Sequence, residues 1–421
     1  MARIALAATA LLTCGILLAL ATVHFVVSVY AFPRITLTRD EISSAARNLP
    51  NAPELQALLA EVEMAEASDH KASAERAISA ATRAVNLSPA RYDFHMLLSV
   101  ARELNGDRTG AEASMRDALA RAPNRAELQW RLANLLVRNQ KLDESLPFYA
   151  RAVTSRPALL TQTMNLLFAV SGERLDVVEK GVGETPKARF DLAFFMLRKG
   201  KLNEGVAVFK KIPSETRKVM DETQPFITGL MLSGQLQLAR DLWGELITDN
   251  PEEVKPIIFN GSFERDGDRI LNQFDWSIGS NQWMRAGIDS SVNHTGKRSL
   301  RIDFLGVDTT RIDREIRQQV VVSPGGRYHL ECFVKAESFA SPEGPRLAVT
   351  SLDGSVPYAL SEPVAVGTND WRKLSVDFSV PAGMPTVLIA VKRTPRFKFD
   401  DPSRGSIWMD DFVMTEAGGK N

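Results

Sequence analysis

Residues 108–157 read RTGAEASMRDALARAPNRAELQWRLANLLVRNQKLDESLPFYARAVTSRP, rich in Ala, Leu, Arg and Glu at helical spacing and punctuated by Pro123 and Pro157. Pro89 stands upstream at the same interval, so the three prolines recur every 34 residues. With the prolines in register, small residues coincide at Ala77, Ala111 and Ser145. Four residues later stand Ala81, Met115 and Tyr149, and three beyond those Ala84, Ala118 and Ala152. The classes return because each period repeats one packing problem: a small side chain where two helices touch, a larger one in the adjoining gap, and a proline closing the second helix.

The period slips between Leu160 and Thr185, a stretch too short for a full unit that holds Gly172, Gly181 and Gly183. It resumes with Leu192, Ala193, Gly205, Phe209 and Ile212, and a last unit offers Ala239, Trp243, Leu246 and Pro251. Residues 58–255 therefore resemble a tetratricopeptide array with one eroded unit. The resemblance implies a right-handed superhelix of paired helices whose concave face holds a peptide or a partner helix, here an envelope protein. Trp130 and Asn134, four residues apart on the first helix of a unit, are the candidates for facing that groove, with inter-repeat packing as the other reading of Trp130. Mixed charges such as Arg116-Asp117 and Lys141 with Asp143 and Glu144 read as a solvated helix face.

Upstream of the array, Arg3 precedes an uncharged run from Ile4 to Phe32. That exceeds the about 20 apolar residues a helix needs to cross a bilayer. We read 1–33 as an uncleaved signal anchor, with Tyr30 and Phe32 at the interface and Pro33 ending the helix, and 34–57 as a linker. A secretory signal cleaved near Ala19-Leu20-Ala21 and a lipoprotein signal at Cys14 are the alternatives. Arg34, Arg39 and Arg47 follow the run, so the positive-inside rule alone leaves its orientation open.

Downstream, the grammar changes at Pro256. Gly, Pro, Asn, Ser and Thr become frequent, and short alternating runs appear at Ser299 to Phe304, Gln318 to Val322, Tyr328 to Val334, Lys373 to Val380, Val387 to Lys392 and Ser406 to Met414. Several such runs separated by turn signals indicate an antiparallel β-sandwich over 256–416, leaving 417–421 as a tail. The fold class is thus multidomain α + β: a transmembrane helix, an α-helical repeat solenoid and a sandwich.

The sandwich opens with Asn260-Gly261-Ser262-Phe263-Glu264 and continues through Trp276 and His294-Thr295-Gly296-Lys297-Arg298-Ser299-Leu300. Pro324-Gly325-Gly326-Arg327-Tyr328, Asp370-Trp371-Arg372-Lys373-Leu374 and Ile407-Trp408-Met409-Asp410-Asp411-Phe412 follow. This order resembles the β-jelly-roll carbohydrate-binding modules of the family 4, 9 and 22 type. Alternation places Phe263, Leu300, Tyr328, Phe333, Trp371 and Phe412 as candidates for the inter-sheet core. The resemblance implies a structural calcium ion held by Glu264 with Asp410 or Asp411; the other reading is that an Asp merely bonds a loop backbone. It also implies a polysaccharide ligand. Trp276 and Trp371 match core positions of the family, so Trp283 and Tyr358 become the stacking candidates, with Gln282, Arg285 and Arg317 as hydroxyl partners. Burial is the competing reading of Trp283.

Composition narrows the chemistry. Lys+Arg and Asp+Glu both number 51, and from Ile258 onward 20 basic side chains face 21 acidic ones. Neither half carries the positive field that nucleic acid requires. Five His and two Cys disfavour zinc sites, thiol catalysis and a disulfide framework. No G-x-S-x-G, P-loop or H-E-x-x-H is present, and Tyr328 lies between Arg327 and His329 on a strand that sends neighbours to opposite faces. The sequence reads as a non-catalytic scaffold, single-pass in a bacterial-type inner membrane with its body outside the cytoplasm, accessory to exopolysaccharide or envelope-glycan assembly and export. A purely protein-binding adaptor and a polysaccharide-modifying enzyme are the alternatives.

Overall fold

The computed structural model describes residues 38–66, 71–268, 270–397 and 399–417. The candidate membrane span over 1–33 lies outside them; among the described residues no helix is long and apolar enough to cross a membrane. The chain divides into two compact units, Met1–Phe195 and Met196–Asn421.

The first unit is a run of helices: α1 (Arg39–Asn48), α2 (Pro53–Glu66), α3 (Lys71–Leu87), α4 (Tyr92–Leu104), α5 (Arg108–Arg121), α6 (Ala126–Arg138), α7 (Leu142–Ser155), α8 (Leu160–Val170), α9 (Leu175–Val182) and α10 (Pro186–Arg198), which runs into the second unit. The stretch read as a linker carries α1 and the start of α2. Thr38 starts α1 with a capping box, its amide donating to Glu41 Oε2 at 2.8 Å. All nine repeat positions are buried, from Ala77 to Ala152, with Met115 the most exposed at 3 %. Each period-marking proline sits two residues beyond the end of α3, α5 or α7. The proline carbonyl is then gripped from the next helix, by His95 Nε2 on Pro89 O at 3.0 Å and by Gln129 Nε2 on Pro123 O at 2.7 Å. The third equivalent is Thr163, whose buried hydroxyl has no partner among the described residues. There the repeat erodes into the short pair α8 and α9.

The second unit holds α11 (Leu202–Lys210), α12 (Ser214–Val219), α13 (Thr223–Leu232) and α14 (Leu236–Ile247), followed by ten strands. These are β1 (Ser277–Ile278), β2 (Met284–Asp289), β3 (Ser299–Leu305), β4 (Ile316–Val321), β5 (Arg327–Ala340), β6 (Arg346–Thr350), β7 (Pro357–Leu360), β8 (Gly367–Ser379), β9 (Thr386–Lys392) and β10 (Arg404–Glu416). They form two five-stranded antiparallel sheets, in the orders β1-β4-β9-β6-β7 and β2-β3-β10-β5-β8. Phe263, Leu300, Tyr328 and Phe412 fill the space between the sheets. Phe333 and Trp371 do not. Tyr328, Leu330, Cys332 and Val334 point inward along β5, so Phe333, an odd number of residues from Tyr328, faces out. It stacks on His294 at 3.8 Å, and Trp371 meets the same imidazole edge-on at 5.4 Å.

Two seams bind this unit. Gly261 sits where a Cβ would come within 2.1 Å of Phe412 O, so only glycine lets the opening turn approach β10 and accept from Phe412 N at 2.9 Å. On α14, fully buried Trp243 donates from Nε1 to Leu271 O at 2.9 Å and packs on Phe259 and Phe274. Arg240 lies 4.6 Å over the Trp243 ring, and burial pushes its guanidinium down to about 10.

Candidate functional site

The site is built on the outer face of the first sheet. Along β4, Ile316, Gln318 and Val320 turn inward, and Gln318 spends its amide on both backbone groups of Phe259, at 3.1 and 2.8 Å. Arg317 and Gln319 therefore face out together. Their register partners on β9 are Ala390 and Leu388, and those in turn pair with Ala348 and Thr350 of β6. Of these four, Leu388 lines the hollow that opens above Arg317 and Gln319.

The segment leading into β1 supplies one wall and the loop after β6 the other. Asn272, Gln273, Asp275, Trp276, Arg314, Arg317, Gln319, Leu352 and Leu388 are among the residues lining a cavity of about 440 Å³. The loop is tied across the sheet by two long cations: Arg314 Nη2 donates to Leu352 O at 3.1 Å, and Lys392 Nζ to Gly354 O at 2.9 Å. Asp353 stiffens it by accepting from the Ser355 amide at 3.1 Å and the Ser355 hydroxyl at 2.7 Å. Hydroxyls of Ser351 and Ser355 hold its carboxyl at about 2.

Within the cavity wall, Gln273 stands out. Both its Nε2 and its Oε1 are buried without a hydrogen-bond partner among the described residues. Leaving one buried polar atom unpaired costs about 1–3 kcal/mol. A carboxamide with a free donor and a free acceptor matches a hydroxyl, which can take the one and give to the other. Asp275 behaves differently. It is buried, accepts from Trp276 N at 2.7 Å, and burial raises its pKa against the help of that amide.

The sequence candidates are not all brought together. Arg317 lines the cavity. Gln282, Trp283 and Arg285 lie at β2, the edge of the other sheet, with Arg285 opposite Asp303. Trp283 is half-buried and its indole donates to Asp308 O at 3.1 Å. Tyr358 is half-buried on β7, packed against the sandwich core and three strand positions from β4, roughly 14 Å at the usual strand spacing. Gln319 was within reach of the alternation rule, being two residues from Arg317 on one strand. Gln273 lies in an irregular segment and gave no signal.

The carboxylates implied as calcium ligands all grip one loop. Asp410 Oδ2 accepts from the amides of His294 and Thr295 at 2.8 and 3.2 Å, and Oδ1 from Asp411 N at 2.7 Å. Asp411 takes His294 Nδ1 at 2.7 Å and Thr295 Oγ1 at 2.6 Å, and Glu264 Oε1 takes the amides of Lys297 and Arg298 at 2.6 and 2.8 Å. Burial raises the Asp410 carboxyl. Among the described residues no group of three His, Cys, Asp or Glu side chains could hold a metal ion.

In the helical unit, Trp130 is half-buried with its indole N–H unpaired among the described residues. Asn134 is also half-buried and accepts the Tyr149 hydroxyl at 2.7 Å.

Solved structures similar to part of this chain include three that each cover about two fifths of it. A crystal structure of MamA shares 16% identity, covering 41% of this chain and 84% of its own, with a TM-score of 0.28. A CBM4 structure shares 16%, covering 38% of this chain and 99% of its own, with a TM-score of 0.29. The CBM22-1 xylan-binding domain of Xyn10C from Paenibacillus barcinonensis shares 16%, covering 38% and 94%, with a TM-score of 0.27. No curated protein matches the sequence. Residues 105–159 match the family model of the tetratricopeptide repeat, and residues 255–396 match that of the carbohydrate binding domain.

Proposed function

We propose that the sandwich holds a polysaccharide in the cavity over β4 and β9 while the helical repeats recruit an envelope protein through the face bearing Trp130 and Asn134. The observation that carries the sugar half is Gln273, a buried donor and acceptor without partners beside Arg317 and Gln319. The match of 255–396 to a carbohydrate binding domain supports it. In this reading the apolar run of the first 33 residues anchors the chain in an inner membrane with both domains outside the cytoplasm, and the protein serves exopolysaccharide or envelope-glycan assembly and export. In this reading the role is binding rather than turnover, which the match to a carbohydrate binding domain supports.

The test is retention of the detergent-solubilised full chain on a panel of immobilised polysaccharides, with Gln273→Leu alongside. Retention of the wild type and its loss in the variant are expected. Absence of retention on every glycan would leave the adaptor reading, which the half-buried Trp283 and Tyr358 favour, as the account of both domains.

A further inference from the structure

We propose that the cavity selects an acidic saccharide, a sugar unit carrying a carboxylate that is read by Arg317 and Arg314. This rests on the reading that the cavity binds sugar, and it names the class of sugar. Seven of the thirteen described arginines from residue 256 onward have an acidic partner, among them Arg301 with Asp303, Arg346 and Arg396 with Glu343, and Arg393 with Asp400 at 2.8 Å in the protein interior. Of the six that do not, Arg314 and Arg317 are the two that line the cavity. Their observed bonds go to backbone carbonyls, Leu352 O at 3.1 Å and Arg314 O at 3.0 Å, and among the described residues neither meets a carboxylate. The acids nearest in sequence are spent elsewhere. Glu315 accepts from Asn281 Nδ2 at 2.8 Å and from the amides of Asp313 and Arg314, while Asp313 pairs with Arg311.

Two guanidinium groups with unused N–H donors thus stand over a wall that presents carboxamides to hydroxyls. Guanidinium matches carboxylate in a planar, two-pronged geometry that a hydroxyl does not reproduce. A cavity of about 440 Å³ falls within the usual range for small-ligand pockets, and Leu352 and Leu388 offer apolar contact to a ring face. A neutral sugar would satisfy Gln273 and leave the two cations without an acidic partner.

The test measures binding of the full chain in detergent to oligogalacturonate, to alginate oligomers, and to the methyl-esterified form of each, which keeps length and linkage and removes the charge. At least one acidic oligomer is expected to bind ten times or more tighter than its ester, with the preference weakening as salt rises. Arg317→Gln and, separately, Arg314→Gln are expected to shrink the preference toward unity while the melting temperature stays within a few degrees. Binding of esters or of neutral xylan and glucan as tightly as the acids overturns the acidic-sugar inference and leaves the sugar site standing. No binding of any acidic or neutral glycan overturns both. A preference retained in both variants removes the two arginines from the account.

Discussion

The two outer faces of the sandwich carry similar side chains and use them differently. On the second sheet many polar groups are spent on each other. Trp408 Nε1 donates to Asp289 at 2.8 Å, Arg301 pairs with Asp303 while lying 5.2 Å over the Trp408 ring, Lys335 holds Asp370, and His329 and Lys373 converge on Glu331. On the first sheet, Gln273, Arg314 and Arg317 keep unspent donors around a hollow. A saturated polar face stabilises the fold and has nothing left to offer a ligand. An unsaturated one weakens the free protein and is repaid only when something binds.

That contrast breaks most readily at Asp289. Burial opposes its charge, but bonds from Ser291 and Trp408, with Arg301 close by, win and hold the carboxyl at about 2. Asp289→Ala strips partners from all three and is expected to cost about 2 kcal/mol in urea unfolding at neutral pH, with sugar affinity unchanged. Because the folded-state pKa lies below the unfolded value of about 4, that stability is present above pH 4 and disappears as pH falls through 2. A cost independent of pH over that window would mean the charge is irrelevant. Gln273→Leu should do the reverse: the free protein gains about 1 kcal/mol, and polysaccharide binding falls about tenfold. Loss of stability in that variant would place Gln273 on the saturated side. The smallest effect is expected from Trp283→Ala, less than twofold on sugar binding measured in parallel, since its indole is tied to Asp308 O. A larger loss would move the ligand to the edge of the second sheet.

Much of the architecture was legible because it repeats. Nine positions at a 34-residue interval are all buried, and the alternating runs at 299, 373, 387 and 406 became β3, β8, β9 and β10. β1, β2, β6 and β7 carry little alternation and have no such signature. The site was harder. Arg317 lines the hollow, while Trp283 and Tyr358 stand out in the sequence for the stacking power of their rings, a property of residue type that does not report exposure. Gln273 matters because of what does not touch it, and a missing partner has no local sequence signature. Phe333 shows the opposite limit: periodicity with Tyr328 already excluded both from one core.

The seam of Trp243, Arg240, Phe259 and Phe274 sets the smallest piece of this protein that can be moved intact. A cut at residue 255, where the sugar-binding family match begins, would take Phe259 and Phe274 away from Trp243 and leave both rings to the solvent. A transplant, a truncation or a gene fusion therefore has to carry α14 with the sandwich. In this chain the portable module starts in the helices.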